Sequence, residues 1–155
     1  MKWLPAAILC GALAACTPGG MLGNGGGTPG GAQITVIDVN LTLHTTPTQL
    51  LAGTSAGYAP AQTTVAVGTF VQFVNSDGFM HTASGIHGAA TFPANRPFDA
   101  SAAGFLNAPL SGTWSTGTLQ AGQRSQPIAV DAPGTYLFGC YYHYGAPMRG
   151  AIVAQ

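Results

Sequence analysis

The chain has 155 residues, which is enough for a single domain with a sizeable core. Only 5% of the residues are charged, and the formal net charge is zero. This composition provides no basic patch for phosphate groups, so it argues against nucleic-acid binding. Long-range charge steering of a partner is also expected to be weak.

The chain begins with the features of an export signal. Lys2 provides a positive start, and an uncharged, mostly apolar run extends from Trp3 to Ala15. This run is too short to span a bilayer, but it has the length of the apolar region of a signal peptide. Residues 1–15 are therefore predicted to be a signal peptide, and the protein is predicted to be exported.

The end of this signal carries a lipidation motif. Residues 13–16, Leu-Ala-Ala-Cys, resemble the lipobox of bacterial lipoproteins, in which the signal is removed before the Cys and the Cys receives lipid. The resemblance implies that Cys16 anchors the protein to a bacterial membrane, facing the periplasm or the cell exterior. An ordinary secretory signal cut at the same small residues is the alternative, and it also predicts export.

A tether and a folded domain are expected to follow. Residues 16–32 are rich in Gly and Pro and offer little that a core could bury, which predicts a flexible tether before a domain at 33–155. Cys140 is the one cysteine of this predicted domain, so no disulfide can form within it. Because a lone thiol is open to oxidation in an exported protein, metal ligation is one use expected for it.

The predicted domain is a succession of short strands. These strands are expected at 33–44, 63–67, 69–74, 112–119, 126–130, 135–140 and 149–154. In the first of them the inward and outward apolar positions exchange between Val36 and Ile37, which indicates either a bulge or a strand that changes partners. Residues 84–111 lack a strand pattern, and helical periodicity is not convincing anywhere. Short strands separated by Gly and Pro predict an all-β, antiparallel sandwich.

A metal site is predicted near the end of the chain. Cys140 lies on the aromatic, core-facing side of the strand at 135–140, and His143 and Met148 follow on the loop before the last strand. A turn after the strand at 69–74 offers His81 as a further donor. One thiolate, two imidazoles and a weak thioether are the ligands of blue copper sites, which transfer electrons. His87 lies close enough to His81 in the sequence to be an alternative ligand, whereas Met80, a thioether directly beside His81, is a poor axial ligand.

The combined motifs resemble those of the cupredoxins, the family of plastocyanin, pseudoazurin and azurin. The loop Cys140-x2-His143-x4-Met148 is similar to the family's ligand loop, and Asn75-x5-His81 is similar to its first-ligand loop. Further similarity extends over Pro133 to Cys140 and Thr116 to Gly122, so the resemblance covers residues 33–155. It favours His81 over His87 and implies a Greek-key sandwich that binds one copper ion, Cu(I) or Cu(II).

The resemblance also places three residues beside the predicted ligands, namely Asn75, Thr82 and Tyr142. Plastocyanins carry Pro at the position of Tyr142, so here a backbone N–H is present and is expected to donate to the Cys140 sulfur. Thr82 replaces an Asn whose side chain links the two ligand loops, which leaves that link open.

The function implied by the resemblance is that of a type 1 (blue) copper protein. Such a protein moves single electrons between extracytoplasmic redox partners of the cytochrome, oxidase or reductase class, and it is not an enzyme. Partners are expected to dock on an apolar patch around His143. The predicted patch residues are Gly78, Met80, Gly145, Ala146 and Pro147. Copper storage or delivery is the alternative, although the sequence contains no His-rich or Met-x-Met tract.

Overall fold

The structure, a computed structural model, describes residues 31–98 and 108–155. Within these residues the chain forms strands and turns, and none of its segments is a helix that could cross a membrane. The strands are β1 (Ile34–Val39), β2 (Thr48–Leu50), β3 (Gly53–Ser55), β4 (Tyr58–Ala59), β5 (Gln62–Val65), β6 (Phe70–Asn75), β7 (Ser84–Ile86), β8 (Ile128–Ala129), β9 (Gly134–Gly139) and β10 (Arg149–Ala154).

Two four-stranded sheets make up the fold. One has the order β4-β1-β6-β8 and the other β5-β10-β9-β7, while β2 and β3 form a separate hairpin. The pairs β1–β6 and β5–β10 are parallel, and the other pairs are antiparallel. The predicted all-β sandwich is confirmed, but its sheets are mixed rather than purely antiparallel. The reason is that the chain crosses to the second sheet between β1 and β6 and then returns in the same direction.

One apolar core joins the two sheets. Ile37 of β1 and Phe73 of β6 belong to the same buried cluster as Phe138 of β9 and Ile152 of β10. The rings of Phe73 and Phe138 meet edge to face with their centroids 5.1 Å apart. Since burial of each such side chain contributes about 2–3 kcal/mol, this core fixes β9 and therefore the backbone that leads into Cys140.

The first strand has neither of the two features predicted between Val36 and Ile37, a bulge or a change of partner. β1 pairs with β6 in an unbroken register over all six of its residues. Ile37 and Val39 are buried, whereas Ile34 and Val36 are exposed, so the strand alternates regularly. The apparent change of parity arises because two apolar side chains lie on the outer face.

Other predicted strands agree with the structure in part. β5, β6, β9 and β10 lie within the predicted stretches or extend one residue beyond them, while residues 112–119 form isolated bridges at Ser115 and Leu119 instead of a strand. β2, β3, β4 and β7 were not predicted. The predicted signal peptide, Cys16 and nearly all of the tether lie outside the described residues, so these boundaries stay predictions.

Candidate metal centre

Three of the predicted ligands converge on one point. His81 Nδ1 lies 3.8 Å from Cys140 Sγ, and His143 Nδ1 lies 3.7 Å from the same sulfur. The two Nδ1 atoms are 3.1 Å apart. Atoms that bind one metal ion at about 2.0–2.3 Å are separated from each other by about 3–4 Å, so these three donors can share a single ion.

The chemistry and burial of this group suit a soft transition metal. A thiol sulfur and two imidazole nitrogens are the donors that copper accepts in proteins. His81 and Cys140 are fully buried, and His143 is half-buried. In the described part of the chain, these residues form the only group of three or more His, Cys or carboxylates close enough together to hold an ion. His87 is exposed and lies outside the group.

The loop that carries two of these donors is closed by strand pairing. Cys140 directly follows β9 and Met148 directly precedes β10, and the Cys140 N–H donates to the Met148 carbonyl at 2.9 Å. Within the loop, the N–H groups of Ala146 and Met148 both donate to the His143 carbonyl, at 2.9 and 3.2 Å. The backbone therefore holds the loop in one compact shape.

Met148 is placed by the connection between β3 and β4. Its side chain is fully buried. A Cβ atom on Gly57 would lie 2.7 Å from Met148 Cγ and 3.2 Å from its Cε. The Ala56 N–H donates to the Pro147 carbonyl at 3.0 Å, beside this contact. Because Gly57 has no side chain, its backbone can lie directly against the Met148 side chain, the predicted fourth ligand.

His81 is held against the segment that ends at Leu119. The backbones of these two residues exchange hydrogen bonds of 3.1 and 2.8 Å. Asn75 Nδ2 donates to the carbonyls of Phe79 and Leu119, at 2.7 and 2.8 Å. The buried Asn75 side chain therefore shapes the turn that presents His81. The sequence resemblance predicted Asn75 beside the ligands but did not predict these two contacts.

Thr82 connects the two ligand loops. Its N–H donates to Cys140 Sγ at 3.4 Å, and its hydroxyl accepts the Tyr141 N–H at 2.8 Å. Its carbonyl accepts the buried Tyr58 hydroxyl at 2.5 Å. The link that the sequence left open is thus made by a threonine hydroxyl in place of an amide.

The hydrogen bond predicted for Tyr142 is not formed. In the described residues the sulfur of Cys140 accepts a backbone N–H from Thr82 and none from Tyr142. The Tyr142 side chain is exposed, and its hydroxyl lies 2.9 Å from Thr118 Oγ1. The absence of proline before His143 does not by itself aim that N–H at the sulfur.

The segment after β7, which showed no sequence pattern, lies against the ligand loop. The Tyr144 hydroxyl donates to the Pro93 carbonyl at 2.9 Å. The guanidinium of Arg96 lies 3.9 Å from the centre of the Tyr141 ring, and its Nη1 donates to the Tyr141 carbonyl at 3.2 Å. Residues 93–96 therefore brace the loop from outside.

Asp77 is a functional residue that the sequence reasoning missed. Its Oδ2 lies 3.1 Å from His81 Nε2, within hydrogen-bond distance, and both side chains are buried. Burial raises the pKa of Asp77, but hydrogen bonds, chiefly from Thr42 and His81, outweigh burial and lower that pKa to about 2. The side chain is therefore ionised at neutral pH. An Asp four residues before a ligand His is a signal that the sequence itself offers.

The electrostatics of His143 favour an unprotonated ring. Burial lowers its pKa below the usual 6.5, and the neighbouring His81 lowers it further, against a smaller opposing effect of Asp77. A neutral imidazole keeps a lone pair on one of its two ring nitrogens, and a metal ion requires such a lone pair.

The five residues predicted for the partner-docking patch are uncharged and are exposed or half-buried, as is the His143 ring. Gly78, Met80, Gly145 and Ala146 are exposed, and Pro147 is half-buried. We call these five residues the docking patch. The sequence reasoning omitted Phe79, which is 62% exposed and lies within the same turn as Gly78 and Met80.

A family comparison identifies the site. Residues 48–155, more than half of the chain, match the model of the copper binding proteins of the plastocyanin/azurin family. The chain belongs to this family. Its cofactor is therefore copper, and the three convergent donors His81, Cys140 and His143 are suited to a single copper ion. Met148, which is fully buried, stays the predicted fourth ligand.

Several solved structures are similar to this plastocyanin/azurin family member. A purple cupredoxin from Nitrosopumilus maritimus is 17% identical, with a TM-score of 0.49, over 77% of this chain and 98% of that one. Oxidised plastocyanin from Dryopteris crassirhizoma is 20% identical, with a TM-score of 0.46, over 78% and 100%. Reduced auracyanin from Roseiflexus castenholzii is 20% identical, with a TM-score of 0.46, over 81% and 99%. No curated protein matches the chain significantly.

Proposed function

We propose that this protein is a type 1 copper electron carrier. Copper, when bound, supplies a one-electron Cu(I)/Cu(II) couple. The observation that supports this function is the convergence of Cys140, His81 and His143, each fixed by backbone hydrogen bonds within a stiff β scaffold. Ligands that are already in place need little rearrangement when the oxidation state changes, and small rearrangement favours fast electron exchange.

The burial of each residue in the site determines the role proposed for it. His81 and Cys140 are fully buried and keep water away from the donor atoms. The Thr82 N–H points at the sulfur and stabilises negative charge on it. His143 is half-buried and is the least enclosed of the three convergent donors, so its ring is the proposed route for the electron between the site and the surface.

We propose a carrier rather than an enzyme for a structural reason. Catalysis by copper enzymes of this fold would require a second copper centre with its own imidazole ligands. Among the described residues, His44 is paired with Asp38 at 2.9 Å and His87 is exposed, and neither belongs to a cluster of donors. One redox centre with one surface route suits the exchange of single electrons.

Electron carriage and copper delivery can be separated in one mixing experiment. The reduced, copper-loaded protein is combined with an oxidised c-type cytochrome and a coloured Cu(I) chelator. A carrier reduces the cytochrome while the chelator stays colourless. Rapid transfer of copper to the chelator, without reduction of the cytochrome, would instead support storage or delivery.

The docking patch predicts how partner transfer responds to salt. Because the patch carries no charge, the second-order rate with a redox partner of the cytochrome, oxidase or reductase class should change less than about twofold between low and physiological ionic strength. Charge-steered partners change by about tenfold or more. Met80→Lys should slow the transfer at any salt concentration, whereas the control Leu51→Lys, at a fully exposed residue outside the patch, should not. A steep salt dependence in the unaltered protein would contradict this prediction.

We also propose that the protein is exported and held on a bacterial membrane through lipid on Cys16. The support is the sequence of residues 1–16 alone. A Cys16→Ala variant expressed in a bacterium should lose labelling by radioactive fatty acid and move from the membrane fraction to the soluble fraction. A Cys10→Ala variant, altered inside the predicted signal peptide, should keep the label. Equal labelling of both variants would refute lipidation at residue 16.

A further inference from the structure

The buried carboxylate of Asp77 accepts an unusual number of hydrogen bonds. Its Oδ2 accepts the backbone N–H groups of Leu41 and Thr42 at 2.9 and 3.1 Å, and the same oxygen lies 3.1 Å from His81 Nε2. Its Oδ1 accepts the Thr42 hydroxyl and the Gly78 N–H, both at 2.8 Å. The side chains of Asp77 and His81 are only 3% and 0% exposed, so water does not compete for these bonds.

We propose that Asp77 is a positioning residue that fixes the orientation and the tautomer of the copper ligand His81. This inference rests on the proposed copper site. A carboxylate only accepts hydrogen bonds, so the ring nitrogen that faces it, Nε2, must carry the hydrogen. The other nitrogen, Nδ1, then keeps its lone pair, and this is the atom that lies 3.8 Å from the Cys140 sulfur.

The backbone groups that hold the Asp77 carboxylate are rigid because they lie at the ends of strands in one sheet. Asp77 lies two residues after β6, and Leu41 and Thr42 follow the end of β1, the parallel neighbour of β6. The carboxylate thus joins the ends of two central strands and cannot turn away from the ring without leaving several backbone donors unpaired. Unpaired buried donors cost about 1–3 kcal/mol each.

The pair also has an electronic effect on the metal. A carboxylate that accepts the outer N–H of a ligating imidazole makes the ring a stronger donor, and loss of such a partner typically lowers metal affinity by about 10–100-fold. A stronger donor and a nearby negative charge favour Cu(II) over Cu(I). Asp77 should therefore hold the reduction potential below the value that the same ligands would give without it.

The test compares two carboxylate–imidazole pairs. Asp77→Asn keeps the shape and an acceptor oxygen but removes the charge, and it should lower Cu(II) affinity by about 10–100-fold. If Cu(I) affinity is unchanged, each tenfold loss raises the midpoint potential by about 59 mV. Asp38→Asn alters the half-exposed pair with His44, outside the metal cluster, and should leave the potential unchanged. A variant at Asp77 that destabilises the metal-free protein but keeps the parent's ratio of Cu(II) to Cu(I) affinity would overturn the proposal.

A second measurement needs neither copper nor a folded variant. Nitrogen-15 NMR of the metal-free, unaltered protein should show the His81 ring with its hydrogen on Nε2. A hydrogen on Nδ1 would overturn the proposal. Failure of the unaltered protein to bind copper would refute the proposed function, whereas the tautomer would still decide the role of Asp77.

Discussion

Replacing Cys140 by Ser will abolish the intense visible absorption of the copper-loaded protein. That band requires charge transfer from a thiolate to Cu(II), and Cys140, the one cysteine among the described residues, places its sulfur within 4 Å of both imidazole nitrogens. A hydroxyl is a harder and weaker donor, so we also expect Cu(I) affinity to fall by at least about tenfold. Absorption spectra and chelator competition measure both effects.

The control for this substitution is a measurement that the metal-free Cys140→Ser protein is still folded. Cys140 is fully buried, and a serine oxygen can still accept the Thr82 N–H, so the metal-free variant should keep its far-ultraviolet circular dichroism. Retention of the full band in a folded Cys140→Ser protein would contradict the assignment of the thiolate.

Gly57→Ala should damage both the fold and the metal site. Gly57 has a φ of 74°, and an added Cβ would lie 2.7 Å from Met148 Cγ. Positive φ costs a non-glycine residue about 1–2 kcal/mol, and overpacking adds about 1–3 kcal/mol. Denaturant unfolding of the metal-free protein should show a loss of about 2–5 kcal/mol, the sum of these two costs, and displacement of Met148 should shift the visible band.

Gly68→Ala is the matched control. Gly68 has a similar φ of 87°, but nothing lies within 4 Å of the position of its Cβ. It should therefore cost only the backbone penalty and leave the spectrum unchanged. Equal unfolding free energies and identical spectra for the two variants would show that Gly57 does not support Met148.

The ligands could be predicted from the sequence because their spacing is local. Cys140, His143 and Met148 lie in one short loop between two strands, and a hairpin brings its own ends together whatever surrounds it. The prediction of His81 needed more than local spacing. Only the resemblance of the segment from Asn75 to His81 to a family motif distinguished His81 from His87. The core strands β9 and β10 were predictable for the same reason, as their hydrophobic stretches are continuous and their turns are marked by Gly and Pro.

The remaining features depend on tertiary contacts that no local pattern records. The strands β2 to β4 are only two or three residues long, which is too short for periodicity to show. Ile34 and Val36 suggested a bulge only because apolar side chains can also lie on an exposed face. The sequence around Asp77 indicates only a turn. The contact of Asp77 with His81 depends on the ends of β1 and β6 meeting in space, which no local pattern shows. The predicted hydrogen bond from the Tyr142 N–H to the Cys140 sulfur is not formed, because a donor must also be aligned with its acceptor.

Titration of the metal-free protein with Cu(II), followed by cyclic voltammetry, tests the central claim most directly. Convergence of Cys140, His81 and His143 on one ion predicts that an intense thiolate-to-copper band saturates at one equivalent of copper per chain. The band should disappear on one-electron reduction and return in full on oxidation. Copper that binds without this band, or a couple that cannot be cycled reversibly, would contradict the electron-carrier function.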